Sequence, residues 1–568
     1  MSNEVEFNSL TGNDEVKVKL EQPPSRIPQK PSEEEVAKYS KTRIVLVVFF
    51  TLIIIAMVVA AVIIIIVSPK CSKAKEVDKN WFKGEIVYQI QPRSFKDSDG
   101  DGNGDLKGIT EELDYLKELG VKILCLDTLY DDDFKNISAM YGKMSDFEDL
   151  VKKAKAKDIL IVVNFIPSYT SDKHKWFLDS KAKVNSDKRG WYVWRATANN
   201  WISVNGGSAW EKDATTNEYY LHQFDKSQPD LNLRNDSVVE ELNKVLKFWT
   251  NKGVEGFRAG FIQYMLEDKE FRNEIEKPGY NNSIQKYDMV EHNQTFDLPG
   301  NLDIVKKFRS SLEKSDSHKL LILDVMGKDI GKFYAQSDLP TFTGLITDVK
   351  NADIAQSINE TVSNYLASVP KDGSPSFAIG NPTNSRVGSR LGEKLIDAMN
   401  VLLLTLPGTP MTYYGEELGM VDTSGSPRSP MQWTKEKEAG FTTGSPFEPV
   451  SSNIDKINVE GEKKDEKSHY AVYKAVVKLR QESAFKSTQF KVVHADSQVF
   501  SYTRGDEYLV IINFSGTEWN GDLVDISGRG TVVFDSQFSI KNKVFDVNKI
   551  DIKGGQAVVL KLKDVQYI

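Results

Sequence analysis

The sequence contains little cysteine and no long run of basic residues. Its two cysteines, Cys71 and Cys125, are the only ones among 568 residues, so at most one disulfide can close within the chain. The formal net charge is -8, and no stretch rich in lysine and arginine is interleaved with aromatic residues. Proteins that bind nucleic acid neutralise phosphates with such stretches, so nucleic acid is not expected as a partner. Long apolar runs are also scarce, and the one present lies near the N-terminus.

Length and composition are those of a large globular protein. With 40% hydrophobic, 10% aromatic and 27% charged residues, most of the chain is expected to fold. A chain of 568 residues exceeds one ordinary domain and fits a large barrel with one or two smaller modules.

The apolar run extends from Ile44 to Val67, and Thr51 is its one residue with a hydroxyl group. At a rise of about 1.5 Å per residue it is about 36 Å long, enough to cross a hydrocarbon core of about 30 Å with some tilt. A cleaved signal peptide would have a shorter apolar region closer to the start of the chain. The sequence therefore predicts a transmembrane helix over residues 44–67.

The charges that flank this helix are balanced and leave its orientation open, with three basic residues on each side. Sequons for N-glycosylation favour one orientation, because all of them lie on the C-terminal side. They are Asn136, Asn235, Asn281, Asn293, Asn359 and Asn513. The prediction is a single-pass type II glycoprotein of the plasma membrane, with a cytosolic N-terminus and an extracellular C-terminal portion.

Composition and periodicity divide the chain into segments. Residues 1–43, rich in proline and acidic residues, predict a disordered cytosolic tail, and residues 68–80 a short neck. Strands alternate with helices over residues 81–169 and 236–488, which indicates a (β/α)8 TIM barrel. Residues 170–235 are weakly periodic and predict a lobe inserted after the third strand. Period-two alternation over residues 489–568 predicts a closing antiparallel β-sandwich, so the fold class is α/β.

One short loop carries five oxygen-bearing side chains at alternate positions, with glycines between the last four. They are Asp97, Asp99, Asp101, Asn103 and Asp105. Closely spaced oxygen donors on a loop bent by glycine suit Ca²⁺, and the four carboxylates would repel one another without a cation. The run differs from an EF-hand, because Gly108 stands where that motif has a bidentate glutamate. We expect a structural Ca²⁺ site here, with a solvated acidic turn as the alternative.

Several motifs, in order along the chain, resemble the α-amylase and oligo-1,6-glucosidase family. Residues 85–95 read like the family's Val-Tyr-Gln-Ile-x-Pro-Arg-Ser-Phe start, and residues 228–232 like the motif at which its inserted lobe ends. Residues 406–417 resemble its eighth strand, and residues 430–433 its post-barrel loop. The acidic loop is similar to the family's calcium loop, in which Asn103 would contribute its backbone carbonyl. The resemblance extends from about Trp81 to the C-terminus.

The positions that this family uses for catalysis are altered. The segment 256–260 matches the signature Gly-Phe-Arg-x-Asp, so Gly260 stands where the family has its nucleophilic aspartate. The general-acid position falls at Asp324, and Thr383 replaces the aspartate that holds the sugar hydroxyls. Other altered positions are Asn164, Ser168, Tyr169 and Pro382. A retaining glycosidase cannot form its covalent intermediate without the nucleophile, so the resemblance implies no glycosidase activity and a structural or vestigial role for Asp324.

The two cysteines differ in their surroundings. Cys125 lies in an apolar strand and is predicted to be a buried core thiol. Cys71 lies just beyond the membrane helix, and an unpaired cysteine outside the cell suggests an intermolecular disulfide. Palmitoylation, which would place Cys71 on the cytosolic side, and a free thiol are the alternatives.

The whole chain resembles the heavy subunits of heteromeric amino-acid transporters, and the rBAT type most of all. The features that carry this resemblance are the cytosolic tail, the single membrane helix, the juxtamembrane cysteine and the amylase-like domain without its nucleophile. The resemblance implies that Cys71 links the chain to a multi-spanning light subunit, which carries the amino acid and which the heavy subunit brings to the cell surface and stabilises. Ala56 and Ala60 form a small-xxx-small pattern that permits close helix approach, although a plain apolar anchor explains them equally well.

The sequence also leaves two functions of other classes open. A membrane-anchored α-glucosidase would use Asp324 as its acid and an unidentified carboxylate in place of the nucleophile. A carbohydrate-binding or adhesion receptor would use the altered cleft without cleaving sugar.

Overall fold

The computed structural model describes residues 32–67, 78–281, 283–315, 318–327 and 329–567. They belong to two compact units, one that extends to residue 77 and one that begins at residue 78. Cys71 and the predicted tail up to residue 31 lie outside the described residues.

The N-terminal unit is helical. The Ser32 side chain caps the short helix Glu33–Lys38 by accepting a hydrogen bond from the Glu35 amide. The long helix Ser40–Val67 comes next, and in it Thr51 Oγ1 donates to the Val47 carbonyl at 2.7 Å, so its hydroxyl is satisfied within the helix. This helix is long and apolar enough to cross a membrane. The predicted apolar helix is confirmed, with its start at Ser40.

The second unit is built around a closed barrel of eight parallel strands. In the order of the barrel, each strand pairs with the next, and the eighth pairs with the first. The strands are Val87–Ile90, Ile123–Leu126, Leu160–Phe165, Gly256–Ala259, Leu320–Val325, Leu339–Phe342, Ser376–Ala378 and Thr409–Tyr413. Most of their side chains are buried, as expected for parallel strands that are covered on both faces. The (β/α)8 prediction is confirmed.

Helices connect the barrel strands and cover the outside of the barrel. They are Pro92–Phe95, Leu106–Glu111, Leu113–Leu119, Met144–Ala156, Asp236–Asn251, Gly300–Ser315, Gly344–Thr347, Ile354–Ser368, Val387–Leu391, Ile396–Thr405, Val459–Glu462, His469–Leu479 and Ser483–Lys486. The helix Asp236–Asn251 illustrates why they form. The Asn235 side chain caps its first turn, and Val238, Leu242 and Trp249 are buried on one face.

A lobe lies between the third and fourth barrel strands, where the sequence predicts an insertion. It contains the helix Lys175–Lys181 and a small antiparallel sheet. The three strands of that sheet are Trp194–Arg195, Trp210–Lys212 and Tyr219–Leu221. One cluster of the lobe is separate from the barrel core and contains Trp201 and Trp210, which stack at 5.6 Å between ring centroids, whereas Phe177 and Tyr220 join the barrel core.

The C-terminal residues form one antiparallel sheet of six strands. In sheet order the strands are Phe490–Ala495, Val499–Arg504, Tyr508–Asn513, Ala557–Tyr567, Ile526–Asp535 and Val544–Asp546. One face packs on the barrel through Phe500 and Tyr502, and the other has its own core with Leu509 and Ile511. The closing antiparallel β-domain is therefore confirmed, and its paired strands belong to a single hydrogen-bonded sheet.

Two buried arginines bind the C-terminal end of the barrel helix Ile396–Thr405. Arg504 of the closing sheet donates from Nη1 to the Thr405 carbonyl at 2.6 Å, and Arg480 donates from Nη1 to the Leu404 carbonyl at 2.6 Å. The helix ends at these carbonyls, which have no partner within it. The closing sheet thus donates hydrogen bonds to the end of a barrel helix, together with Arg480.

Candidate functional site

The carboxyl ends of the second to fifth barrel strands bring four polar residues together. Asp127 comes directly after the strand Ile123–Leu126, while Asn164, Arg258 and Asp324 lie within the third, fourth and fifth strands. Parallel strands in a barrel present their carboxyl ends at one face, which is where enzymes of this fold hold their catalytic groups. The structure therefore places Asp324 and Arg258 at the face where the family resemblance expects a catalytic centre.

Gly260 comes directly after the fourth strand and leaves space at this face. A Cβ atom built on Gly260 would have only Asn164 Oδ1 and Asp324 Oδ2 within 4 Å, each at 3.9 Å. That distance is ordinary van der Waals contact, so the backbone could carry a side chain here. Position 260 thus lacks a side chain because glycine occupies it, and the surrounding residues have not filled the space.

Arg258 lies between two carboxylates at the centre of the site. Its Nε donates to Asp324 Oδ1 at 2.9 Å, its Nη2 lies 2.5 Å from Asp324 Oδ2, and its Nη1 lies 3.2 Å from Asp127 Oδ1. Gln89 Nε2 also donates to Asp127 Oδ1, at 2.8 Å. We call Arg258, Asp127 and Asp324 the Arg258 network. It is bidentate at Asp324, which is the strongest geometry for an arginine–carboxylate pair.

Burial and charge act in opposite directions on this network. Burial raises the pKa of Asp127 and of Asp324 above the ordinary range, and the Arg258 guanidinium opposes the rise. Burial would lower the pKa of Arg258, but the carboxylates of Asp324 and Asp127 together raise it. Arg258 therefore stays charged, and both oxygens of Asp324 are occupied. A carboxyl group held in this way is poorly placed to donate a proton to a leaving group.

Asp127 is the member of the site that sequence reasoning missed. It comes immediately after four apolar residues that form the second strand, a position from which a side chain reaches the carboxyl end of the barrel. The sequence could have indicated Asp127 only as a single aspartate that directly follows a buried strand.

The remaining altered positions do not join the Arg258 network. Thr383 is exposed, and its hydroxyl donates to Asn381 Oδ1 at 3.0 Å and lies 3.2 Å from Asn384 Oδ1 within a local turn. Tyr169 packs its ring against Phe224 at 5.4 Å between ring centroids. Asn164 Nδ2 donates to Thr128 Oγ1 at 3.0 Å, while its Oδ1 is buried without a hydrogen-bond partner in the described part of the chain.

The acidic loop brings three of its five predicted ligands together. One carboxylate oxygen from each of Asp97, Asp99 and Asp105 lies within 4.8 Å of the others. Ligands at about 2.3–2.6 Å from one Ca²⁺ lie at most about 5 Å apart, so these carboxylates fit that ion. Asp101 accepts a hydrogen bond from the Asn103 amide at 2.7 Å, and Asn103 Oδ1 accepts one from Arg93 Nε at 2.7 Å.

Hydrogen bonds within the loop hold Asp97 in place. Burial would raise its pKa, but hydrogen bonds from Thr442 and from the amides of Asp99, Gly100 and Gly102 lower it. Gly102 has a φ of +92°, and a Cβ atom there would lie 2.0 Å from the Ser445 carbonyl oxygen, so this turn requires glycine. The glycine spacing seen in the sequence therefore has a steric cause.

The six sequons differ in exposure. Asn136, Asn281 and Asn293 are exposed, and Asn235 and Asn359 are half-buried. Asn513 is fully buried, and its amide donates to the Thr517 carbonyl at 2.8 Å and to the Ile552 carbonyl at 2.9 Å. The expectation of a glycan at Asn513 is therefore corrected, because the nitrogen that would carry it lies inside the closing domain with both hydrogens used.

Cys125 is buried, as predicted, and burial raises the pKa of its thiol. A neutral thiol without access to solvent is a poor partner for an intermolecular disulfide.

Fold and site together define an amylase-type barrel in which Gly260 follows the fourth strand and Arg258 binds both Asp324 and Asp127. Residues 89–488 match the model of the α-amylase catalytic domain, and residues 35–87 match that of the N-terminus of solute carrier family 3 member 2. The chain belongs to the α-amylase family and, within it, to the heavy chains of amino acid transporters.

Individual relatives fall into two groups. The amino acid transporter heavy chain SLC3A1 (rBAT) of Rattus norvegicus is 32% identical over 551 residues, which are 87% of this chain and 79% of the relative. Maltase 1 of Drosophila virilis is 34% identical over 529 residues, which are 81% of this chain and 83% of the relative. Sequence identity alone therefore does not separate transporter subunits from active enzymes.

Solved structures of sugar-transforming enzymes share the fold. The α-glucosyl transfer enzyme XgtA superposes with a TM-score of 0.77 at 26% identity and covers 85% of this chain and 99% of its own. A mutant of isomaltulose synthase from Erwinia rhapontici NX5 gives 0.76 at 28% identity, with coverage of 85% and 99%.

Proposed function

We propose that this chain is a non-catalytic type II heavy subunit that binds, traffics and stabilises a multi-spanning amino-acid transporter light subunit at the plasma membrane. Family membership supports the transporter role, and the match at residues 35–87 supports it over the maltase role because that N-terminal segment includes the apolar helix. The lipid bilayer and the light subunit are the partners that the proposal names.

The observation that carries the non-catalytic part is the pairing of Gly260 with the Arg258 network. A retaining glycosidase needs two carboxyl groups about 5–5.5 Å apart, one as nucleophile and one as acid. Gly260 supplies no carboxylate, and Arg258 binds both oxygens of Asp324. Asp127, the other carboxylate of the network, also binds Arg258 and lies at the end of a different strand.

The partner link is proposed to be a disulfide through Cys71. Non-reducing electrophoresis of the native protein should show a band of higher mass that reduction converts to the single chain. Cys71→Ser should abolish that band, whereas Cys125→Ala should retain it, because Cys125 is buried. A single-chain band under both conditions would exclude the covalent link, and retention of the complex after Cys71→Ser would assign the link to other contacts.

The type II orientation predicts glycans on the extracellular domain. Removal of N-glycans from the cell-surface protein should lower its apparent mass, and substitution of Asn136, Asn281 and Asn293 by Gln should reproduce most of that shift. Asn513→Gln should not change the apparent mass. A protein whose mass is unchanged by glycosidase treatment would contradict this orientation.

A structural Ca²⁺ site is proposed at Asp97, Asp99 and Asp105, with Asp101 and the Asn103 carbonyl completing the set expected from the family. The three convergent carboxylates support it. The ion would offset the repulsion among these carboxylates and fix the loop after the first barrel strand.

A membrane-anchored α-glucosidase is the second candidate, favoured by the survival of Asp324 at the acid position and by the maltase relatives. Maltose and isomaltose turnover by the full chain is the test. Turnover that Asp324→Asn abolishes would replace the non-catalytic proposal, and sugar binding without turnover would support a carbohydrate-binding receptor.

A further inference from the structure

Three asparagines of the chain are directly followed by glycine. The pairs are Asn103–Gly104, Asn205–Gly206 and Asn520–Gly521. Because glycine has no Cβ atom, its backbone nitrogen can approach the side chain of the preceding asparagine with little obstruction. Each pair is therefore a place where the chain can react with itself, and the fold decides which of them does so.

The reaction in question is deamidation, which consumes only water. The glycine nitrogen attacks Cγ of the asparagine, a C–N bond closes a five-membered succinimide ring, and ammonia leaves with the proton of the glycine amide. Water then opens the ring at either carbonyl carbon and yields aspartate or isoaspartate. The main chain of isoaspartate passes through Cβ and Cγ and is one atom longer. A hydrogen bond from the glycine N–H opposes the first step, because it must be broken before the nitrogen can attack.

The fold blocks this step at two of the three pairs. The Gly104 amide donates to the Arg93 carbonyl at 2.7 Å, and the Gly206 amide donates to the Ser203 carbonyl at 2.8 Å. The side chain of Asn103 is held as well, because its Oδ1 accepts a hydrogen bond from Arg93 Nε at 2.7 Å. Asn103 and its counterpart before Gly206 are therefore expected to react slowly in the folded protein.

The pair Asn520–Gly521 lies in a loop of the closing domain and lacks this protection. Asn520 is exposed. Within the described ranges of the chain, neither the Gly521 amide nor the Asn520 side chain forms a hydrogen bond with another protein group. The attacking nitrogen and the amide that it attacks are thus both without a protein partner.

The packing of Trp519 requires glycine at position 521. A Cβ atom on Gly521 would lie 2.5 Å from Cζ2 of Trp519. The indole cannot easily move away, because it is 5% exposed and its Nε1 donates to Asp496 Oδ2 at 2.9 Å. The same contact that packs the indole therefore keeps the residue that makes Asn520 reactive.

We propose that Asn520 is a site of spontaneous deamidation in the folded chain, at which aspartate and isoaspartate form while the other two pairs stay intact. Either product adds one negative charge. Isoaspartate also adds one main-chain atom between Trp519 and Leu523, whose amides donate to the carbonyls of Ile552 and Asn548 at 2.8 and 3.3 Å. The site depends neither on assembly with a light subunit nor on the state of the Arg258 network.

Peptide mass spectrometry of the full chain in detergent, sampled over several weeks at pH 8, tests the proposal. Conversion at Asn520 is expected to be at least about tenfold faster than at Asn103 or Asn205, which corresponds to about 1.4 kcal/mol in the barrier. The chain unfolded in guanidinium chloride is the matched control. There no glycine amide is held, so the three asparagines should convert at similar rates.

Two variants separate the effects of charge and of chain length. Asn520→Gln should resist conversion at this position, because its longer side chain would have to close a six-membered ring. Asn520→Asp carries the new charge without the extra main-chain atom and should melt at the temperature of the fresh protein. The unsubstituted protein should melt at a lower temperature once isoaspartate has accumulated.

Three results would count against the proposal. Equal rates at the three asparagines of the folded chain would overturn it, because the hydrogen bonds of Gly104 and Gly206 would then give no protection. Conversion of Asn520 in guanidinium chloride but not in the folded chain would overturn it as well, since the fold would then protect this loop. An aged protein that contains isoaspartate and melts like the fresh one would refute the effect of the added main-chain atom.

Discussion

Arg258 binds both carboxylate oxygens of Asp324, with Nε 2.9 Å from Oδ1 and Nη2 2.5 Å from Oδ2. The two residues lie on neighbouring strands of the barrel, and Asp127 on a third strand contacts the same guanidinium. Both carboxyl groups are thus paired with a cation of the protein itself, at the face where an enzyme would leave its carboxyl groups free for a substrate.

Removal of this guanidinium should destabilise the fold. Arg258→Met leaves the buried Asp127 and the half-buried Asp324 without their cation, and the loss of one partner from a buried pair costs about 3–5 kcal/mol. Both carboxyl groups would gain protons more readily in the variant, so its deficit relative to the unsubstituted protein should be larger at pH 7 than at pH 4. Denaturant unfolding of the full chain at the two pH values measures this difference.

A surface pair provides the control. Arg529 lies 3.7 Å from Asp546, and both side chains are mostly exposed. Arg529→Met should therefore change the free energy of unfolding by no more than about 0.5 kcal/mol. An equal effect of the two arginine substitutions would show that the Arg258 network does not stabilise the barrel.

Restoring the missing side chain alone should not restore hydrolysis. Gly260→Asp fits the space, because the nearest atoms to its Cβ are 3.9 Å away, but it adds a third carboxylate beside Asp324. Arg258 would still bind Asp324, and Thr383 would still lack a carboxylate. We expect no measurable maltose turnover and a lower melting temperature at pH 7 than for Gly260→Asn, which has the same shape without the charge. Turnover comparable to that of a maltase would refute the idea that Arg258 blocks the acid.

Asp230 should make stability depend on pH. Burial raises its pKa to about 8, although Gln223 Nε2 donates to it at 2.9 Å. Its pKa in the unfolded chain is about 3.9, so between these values the folded state holds a proton that the unfolded state releases. The contribution of this group to stability therefore falls as the pH rises from about 4 to 8, by up to about 1.4 kcal/mol per pH unit.

Thermal unfolding between pH 5 and 9 measures the effect of Asp230. Asp230→Asn removes the titration, so its melting temperature should fall less across this range than that of the unsubstituted protein. Parallel curves for the two proteins would mean that Asp230 is ionised in the folded state.

Calcium should raise the stability of the unit that begins at residue 78. At a hundredfold excess over its dissociation constant a ligand adds about 2.7 kcal/mol, and chelation should remove that amount. Asp99→Asn is the informative variant, because Asp99 is exposed and, among the residues that the structure describes, accepts only the hydrogen bond of the Asp101 amide at 3.2 Å. It should lose the Ca²⁺-dependent rise in melting temperature while it folds normally without the ion. A rise that persists in Asp99→Asn would place the ion elsewhere.

The sequence predicted the architecture because its signals are local and repeated. Apolar strands that alternate with amphipathic helices predict a parallel sheet, their continued repetition fits a closed barrel, and period-two alternation marks the closing sheet. Gly260 and Asp324 were also placed at the correct face, because position along a barrel strand fixes the face on which a residue lies.

Contacts between segments that are far apart along the chain could not be predicted from the sequence. Asp127 is one aspartate among many, and only the barrel brings it to Arg258, which is far from it along the chain. Asn513 has the same three-residue pattern as the exposed sequons, but it ends a buried strand that pairs with the strand Ala557–Tyr567, and its amide binds the Ile552 carbonyl.

The shared end of the helix Ile396–Thr405 has a mechanical consequence. If Arg504 left the Thr405 carbonyl, a buried carbonyl would lose its hydrogen bond, and Arg480 holds the neighbouring carbonyl in the same way. The closing sheet is therefore expected to melt together with the barrel, in one cooperative transition without a hinge. A pull on either part of this unit would therefore be resisted by the barrel and the closing sheet together.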